Sequence, residues 1–579
     1  MKNTLDAWCR EAFASLGWEA PPESLIERPR ESSHGDYSCH VSLRLGKRFG
    51  RPPLEVAQTL ADHLPAHPAI GRIEVAPPGF INFYLDHSEL VRELARALDA
   101  SLPYGHSAPG QGRILVEFVS ANPNGPLHIG HGRGAAYGDS LANLLEAVGY
   151  TVEREYYVND AGRQMSILAL SVWLRYLEHR ECPAQAFPHA GYRGDYVLEL
   201  ARELAAVAGD RYEETECSLQ ELPPDGTEPE HAADQHIDAR VAAMRKVLGP
   251  TRYAALHDFA LGRMRERIQK DLNDFGVRHD RWFSEQSLYD SGRVKETVAS
   301  LERCGETYRS EGALWFRASA HGDEKDRVLV RANGEYTYFS PDLAYHRDKL
   351  ERGYQRIIDV LGADHHGYAP RIRAGIEALG EDPSRLEVVL IQFAVLLRGG
   401  RKVQMSTRSG SFIALSDLVA EVGRDAARFF YVLRSEAQHL DFDLDLAKRQ
   451  SQENPVYYVQ YAHARVASLW RECEERGLAY DPEDRQSFPR LVHPLERTLL
   501  VHLIRYPETL EQAGLARAPH LLAQYLRELA AAFHGYYNGV PLLVDDVSLR
   551  NARLSLCHAT RRVLADGLSI LGVSAPSRM

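Results

Sequence analysis

Apolar and polar positions change their period several times along the chain, and the changes divide it. Near the N-terminus, TLDAWCREAFASL and LEVAQTLADHL place apolar residues at helical spacing, while GFINFYLD, after the turn APPG, alternates as a strand does. An α+β domain is predicted over 1–105, followed by the linker HSAPGQG. ILVEFV then begins a different pattern, apolar on both faces, as in a strand buried within a parallel sheet. Tyr137, Leu141, Leu144, Leu145 and Val148 give the next segment one buried helical face, Gly149 stops it, and TVEREYYV reads as the following strand. Strand, loop, helix and strand make a βαβ unit, which predicts a Rossmann-like, doubly wound parallel sheet. That domain is expected over 112–413, split by a mostly helical insertion at about 165–325 containing HIDARVAAMRKVLG and LHDFALGRMRERIQKDLNDFG. The sheet pattern resumes in YTYFSPDLAYH, RIIDVLGADHHGY and LEVVLIQFAVLL. A connecting helical segment, 414–454, leads to VYYVQYAHARVASLW, HPLERTLLVHLIRYPETLEQA and HLLAQYLRELAAAFHGYYNGV, amphipathic helices predicted to form an α-helical bundle over 455–579. The fold class predicted is multidomain α/β, with a split Rossmann-like sheet, an N-terminal α+β domain and a C-terminal helical bundle.

Size agrees with several domains: 579 residues exceed one hydrophobic core and suggest about three or four. No apolar run approaches the ~18–20 residues of a membrane helix, so no membrane partner is expected. The start, MKNTLDAWCREAF, has an early Asp and no long apolar stretch, unlike a signal peptide. Seven cysteines without a CxxC pair point to a reducing, cytoplasmic setting with neither a disulfide framework nor a zinc ribbon. The formal net charge of -12 argues against a broad nucleic-acid-binding surface but leaves room for local basic ones. The acidic excess is visible over 209–239, which reads as a solvated loop.

Two segments carry candidate chemistry. In SANPNGPLHIGH, residues 120–131, His128 and His131 stand three apart at the mouth of a helix, where unpaired N–H groups and the positive dipole end favour anions. Gly130, Gly132 and Gly134 let a flat ligand approach the backbone. A nucleotide with its phosphates suits this arrangement. A metal held with His365 and His366 is weaker, because no HExxH-type base accompanies the pair. A capped helix with partly buried histidines is the ordinary alternative. The second segment, RGGRKVQMSTRSGSF at 398–412, follows an apolar strand and is cationic, suited to closing over polyphosphate. Taken alone it reads more readily as a solvated basic hairpin.

Together these segments resemble the His-Ile-Gly-His and Lys-Met-Ser-Lys-Ser signatures of class I aminoacyl-tRNA synthetases. VEFVSANPNGPLHIGHGRGAAYGD, YYVNDAGRQ, DFGVRHDRWFSE, GADHHGY and DAARFFYVLRSEAQHLDFDLDLAKRQSQENPVYYVQYAHAR are similar, in the same order, to blocks of the bacterial-type arginyl-tRNA synthetase family. GDYSCHVSLRLGKRFGRPPLEVA and APPGFINFYL resemble that family's extra N-terminal domain, so the likeness runs the whole length. The chain departs from the family at QMSTR, where Gln404 and Thr407 replace both lysines and no lysine precedes His128 in compensation.

The resemblance implies ATP-dependent ligation of L-arginine to tRNA(Arg) through arginyl-adenylate, with release of AMP and pyrophosphate. It implies phosphate contacts from His128 and His131, and charge stabilisation on the leaving pyrophosphate by Arg408, with Lys402 second. It implies an ATP site with Gly130 under the adenine, Gly362 and Asp364 at the ribose, and Met405 and Ser406 in the loop. Mg²⁺ would arrive with ATP, held by phosphates and water rather than by a protein metal site. For the amino acid, the resemblance assigns Asp342 to the guanidinium with Tyr338 as wall, and Glu117, Ser120, Asn122 and His365 around the α-amino and carboxylate groups. Without it, Asp342 reads as a helix N-cap after Pro341. It further implies a tRNA elbow contact from the N-terminal domain, anticodon binding by the bundle, no proofreading role for the insertion, and a monomer. Tyr457, Tyr458, Tyr461 and Arg465 become tRNA-contact candidates, although tyrosines at helical spacing are often core. Two other readings stay open: a small-molecule nucleotidyltransferase, and a tRNA-binding paralogue without catalysis.

Overall fold

The run ILVEF lies in a strand, Arg113–Phe118 (β1), whose last five residues are all buried. β1 is followed by the helix Ile129–Ala147 (α1) and the strand Thr151–Val158 (β2). Three further strands complete the sheet or its neighbourhood: Arg281–Ser284 (β3), Arg356–Gly362 (β4) and Leu386–Ile391 (β5), with the helices Phe339–Glu351 (α2) before β4 and Tyr368–Ala378 (α3) after it. The order is β5-β4-β1-β2-β3 and every pair is parallel. The chain winds from β1 toward β2 on one side and is joined by β4 on the other. That reversal between β1 and β4 opens a crevice beyond the carboxyl ends of the strands. α1 lies close against β1 at Gly138, where a Cβ would overlap the Phe118 ring.

The computed structural model describes residues 1–29, 32–99, 103–182, 186–213, 225, 232–403 and 413–579. The sheet belongs to a compact unit of Pro109–Arg449. Within it, helices Arg163–His179, Asp195–Ala208 and Ala232–Asp274 form a separate core around Trp173, Leu200 and Met244, with a break at Gly249 and Pro250 in the last of them.

Three sequence expectations change here. β3 lies inside the stretch read as an insertion, yet pairs with β2 through Glu155–Arg281 to Val158–Ser284. As a four-residue edge strand, RWFS has no run of apolar residues to announce it. YTYF does not resume the sheet. Tyr336 makes only an isolated bridge to Val330, and α2 begins at Phe339. Pro341 is accommodated in its first turn, where the missing N–H has no intrahelical partner to lose. LEVVLIQFAVLL divides into β5 and Ala394–Arg398, which pairs with Arg401–Lys402 and Leu440–Asp443 in another sheet.

The second unit joins Met1–Ala108 to Gln450–Met579. Its N-terminal part is a four-stranded antiparallel sheet, in spatial order Ile26–Glu27, Tyr37–Cys39, Phe80–Leu85, Ile70–Ala76, with flanking helices. Its C-terminal part is built from the long helices Pro455–Glu475, Pro494–Leu515, Pro519–Gly539 and Val547–Ile570. Glu508 of the second long helix ties the two parts together: it accepts from the Lys2 amide at 2.8 Å, from Tyr37 Oη at 2.6 Å and from Arg28 Nη2 at 2.8 Å. No helix among the described residues is long and apolar enough to cross a membrane.

Candidate active site

At the carboxyl end of β1 the chain turns through Val119 and Ser120, both with positive φ, 72° and 40°. For a β-branched residue that conformation is strained and persists only where the surroundings impose it. They do so here: Ser120 Oγ donates to Glu117 Oε1 at 2.8 Å and accepts from the Tyr157 amide at 3.0 Å, and Tyr156 Oη donates to the Ala121 carbonyl at 2.7 Å. The loop continues to α1 with the Asn124 carbonyl held by Tyr196 Oη at 2.7 Å.

His128 is the N-cap of α1. Its Nδ1 accepts from the Gly130 amide at 3.1 Å, and His131 Nδ1 accepts from the His128 amide at 3.2 Å. The rings stack with centroids 3.7 Å apart. Burial lowers the pKa of His128, and burial followed by the neighbouring His128 pushes His131 down to about 3. Each ring is therefore neutral at pH 7 and, with Nδ1 accepting, carries its proton on Nε2. The pair offers hydrogen-bond donors rather than positive charge. The capped-helix alternative is thus part of the site.

The chain from Ile413 onward is fastened across this motif. Ala414 bridges His128, the Ile129 amide donates to the Ile413 carbonyl at 3.3 Å, and the Leu415 amide donates to the Leu127 carbonyl at 2.8 Å. Arg133, buried in α1, holds the segment after β5 by donating to the carbonyls of Gln392 at 2.6 Å and Gln438 at 2.8 Å.

These elements surround a cavity of about 660 Å³ at the strand ends. Of the residues singled out from the sequence, Glu117, Ser120, Asn122, His128, Gly130, His131, Tyr338, Asp342, Gly362, Asp364 and His365 all line it. Lys402 does not; it is exposed on a hairpin. Met405, Ser406 and Arg408 lie outside the described residues. Tyr457, Tyr461 and Arg465 belong to the other unit, where Tyr457 and Tyr461 stack at 5.9 Å and the Arg465 guanidinium lies 4.9 Å from the Tyr461 ring centre. Among the described residues no group of three or more His, Cys, Asp or Glu side chains is arranged to hold a metal ion.

Asp342 is not an N-cap. α2 starts at Phe339 with Tyr338 as its cap residue, and Asp342 sits in the first turn. Burial lifts its carboxyl to about 6. Glu285, which follows β3, lines the same cavity. Burial, then the charges of Asp342 and Asp160, lift it to about 8. With the Asn159 amide turned so that its nitrogen faces Glu285, that nitrogen donates to Oε2 at 2.8 Å. Neither Asp342 nor Glu285 forms an ion pair among the described residues, so the cavity holds two carboxyl groups, Glu285 buried and Asp342 half-buried, without a protein cation bonded to either. Such a pocket suits a cationic ligand. Glu285 closes the block DFGVRHDRWFSE and was in view in the sequence, but only the pairing of β3 with β2 brings it to Asp342. Phe393, 53% exposed and lining the cavity, and Arg371 of α3 were also not singled out.

Comparison with known proteins agrees with this geometry. A family described as tRNA synthetases class I (R), catalytic domain, matches residues 93–186 and 253–438. The arginyl tRNA synthetase N terminal domain matches 2–85, and the DALR anticodon binding domain matches 459–579. The arginine–tRNA ligase of Halorhodospira halophila is 54% identical over 561 residues, covering 96% of this chain and 95% of that protein.

The chain belongs to the arginyl-tRNA synthetase family.

The arginine–tRNA ligase of Thioalkalivibrio sulfidiphilus is 50% identical and covers both chains completely. The Thermus thermophilus arginyl-tRNA synthetase structure shares the fold, with a TM-score of 0.76 at 24% identity over 100% of both chains. The gap between the two parts of the family's catalytic match, 187–252, falls among the insertion helices and leaves β3 inside the family's domain.

Proposed function

We propose that the chain joins L-arginine to tRNA(Arg) in two steps. The arginine carboxylate attacks the α-phosphorus of ATP; a carboxyl-oxygen-to-phosphorus bond forms and pyrophosphate leaves. The 2′-hydroxyl of the terminal tRNA adenosine then attacks the adenylate carbonyl, and AMP leaves. The protein works by positioning and by stabilising charge that develops in transit.

The Nε2–H groups of His128 and His131 donate to phosphate oxygens. Being neutral, they assist pyrophosphate departure without binding it as a fixed counter-ion. Gly130 packs under the adenine and Phe393 offers a second apolar surface to it, while Gly362 and Asp364 meet the ribose. Arg408 stabilises the leaving pyrophosphate, with Lys402 at the base of the same loop, and Met405 and Ser406 contact ATP. Mg²⁺ comes bound to ATP phosphates. Asp342 and Glu285 take the guanidinium, whose planar fork of N–H donors matches carboxylates in two places. Tyr338, 66% exposed, forms the lip of that pocket. Ser120, through its bond to Glu117, fixes the end of the pocket where Glu117, Asn122 and His365 hold the α-amino and carboxylate groups. Tyr457, Tyr461 and Arg465 contact the tRNA.

The observation that supports this reading most is the pair of cavity carboxyl groups, raised by desolvation and without an ion-pair partner among the described residues, in a chain that matches arginine–tRNA ligases over its whole length. The test is charging of total tRNA with each amino acid in turn, with ATP and Mg²⁺. Arginine alone is expected to be transferred. A folded preparation that charges nothing, or charges another amino acid, overturns the proposal.

A further inference from the structure

Three carboxylates lie side by side across the sheet, Glu117 at the cavity wall and Asp359 and Glu155 behind it. In register, Asp359 of β4 is the neighbour of Glu117 of β1, and Glu117 the neighbour of Glu155 of β2. They are 1%, 6% and 0% exposed. Neighbouring strands run ~4.8 Å apart, so three buried like charges in a row require counter-charges. α2 supplies them from one face. Lys349 Nζ donates to Asp359 Oδ1 at 2.8 Å and also to Glu117 Oε2. Arg352, at the end of α2, donates to both oxygens of Glu155, at 2.6 and 2.8 Å. His346 Nε2 lies 2.8 Å from Asp359 Oδ2, and its Nδ1 lies 2.7 Å from the Asp342 carbonyl. That carbonyl can only accept, so Nδ1 carries a proton and pins the first turn of α2.

One carboxylate thus reaches both ends of the amino-acid pocket. Through Lys349, Asp359 fixes the Glu117 side chain. Through His346, it fixes the turn that carries Asp342. None of Asp359, Lys349 and His346 lines the cavity. We propose that Asp359 is a positioning residue for arginine recognition, acting through Lys349 on Glu117 and through His346 on Asp342. The inference rests on the reading that Glu117 and Asp342 hold the amino acid. It goes beyond that reading by locating what aims them.

A network that merely fastened α2 to the sheet would, when broken, lower stability and loosen the ATP and arginine sites alike. A positioning network affects arginine selectively. The experiment measures KM for arginine and for ATP in tRNA charging, for Glu117→Gln, Asp342→Asn, Asp359→Asn, Lys349→Met, and Lys349→Met combined with Glu117→Gln. Displacement of a binding group by ~1 Å costs up to about 100-fold, so Asp359→Asn and Lys349→Met are expected to raise the arginine KM about 10- to 100-fold, with the ATP KM held within about twofold. Lys349→Met is expected to add less than its full effect once Glu117 is already Gln, because the charged group that Lys349 aims is gone.

Three results overturn the proposal: an arginine KM unchanged by Asp359→Asn while Glu117→Gln and Asp342→Asn raise it, full compounding of Lys349→Met with Glu117→Gln, or equal rises in both KM values. If neither Glu117→Gln nor Asp342→Asn alters the arginine KM, the reading of the pocket itself fails and takes the proposal with it. KM reads only the folded fraction, so partial misfolding does not obscure the outcome. If Asp359→Asn yields no folded protein, Lys349→Gln and His346→Asn carry the same expectations and the same refutations.

Discussion

A carboxyl group kept from water holds its proton longer, and the cavity contains two such groups. Asp342 is lifted to about 6 and Glu285 to about 8, in each case first by burial. In the empty pocket at pH 7 Glu285 is mostly protonated. A guanidinium binds the ionised form, so binding must expel protons, and affinity must strengthen as pH rises. The gain runs from below pH 6 to above pH 8 and levels off beyond. Calorimetric titration of arginine at pH 5.5–8.5, in buffers of different ionisation enthalpy, is expected to register proton release at pH 7. A flat profile with no release contradicts the assignment. The two histidines behave differently: burial lowers both, His131 to about 3, so no loss of charging rate from His131 ionisation is expected across the ordinary histidine range. Phe393→Ala is expected to raise the KM for ATP about tenfold, the value of about 1–2 kcal/mol of apolar contact, with the arginine KM unmoved. At this scale the contiguous motif was legible: Glu117, Asn122, His128 and His131 lie within fifteen residues or so of each other, and their spacing carries the chemistry. Glu285, Arg371 and Phe393 were not, because each enters the cavity from a different, distant element.

At the scale of elements, α2 runs against the usual sense of amphipathicity. Polar residues such as His346 and Lys349 more often face solvent on a helix. In the structure they are 1% and 0% exposed, and the sheet beneath them presents carboxylates instead of an apolar surface. Polarity alone does not say which face of a helix is inward when the opposing surface is charged. Removing one partner of such a network leaves the others buried and unpaired. Lys349→Met should therefore cost about 3–5 kcal/mol in denaturant unfolding. A loss below about 1 kcal/mol, within the range of an exposed pair, would contradict the burial of this network. The elements legible in advance, β1, α1, β2, β4 and the first three long C-terminal helices, have a strong period. RWFS is a short edge strand without an apolar run to mark it, and in YTYF the aromatic pattern of a strand meets the first turn of a helix.

At the scale of the whole molecule, the three kinds of sequence were separable by their periods, but the grouping of the first and last segments into one unit was not. It depends on contacts such as those of Glu508 with Lys2, Arg28 and Tyr37, which span almost the length of the chain. Glu508→Gln keeps the shape, removes the charge, and leaves Arg28 without its partner, so a loss of about 1–3 kcal/mol in the unfolding of that unit is expected. An unchanged unfolding midpoint would mean the junction is held by other contacts.

The central claim is that cavity carboxylates select a guanidinium. Citrulline has nearly the same shape as arginine but no charge. The most direct measurement is therefore the ratio of kcat/KM for arginine to that for citrulline in tRNA charging, in the unaltered chain and in Asp342→Asn. A site built around a hydrogen-bonded charged group rejects its neutral analogue by about 10⁴-fold or more, and the substitution is expected to collapse that ratio by at least about 100-fold, through loss of arginine activity. A ratio that Asp342→Asn leaves intact would contradict the account.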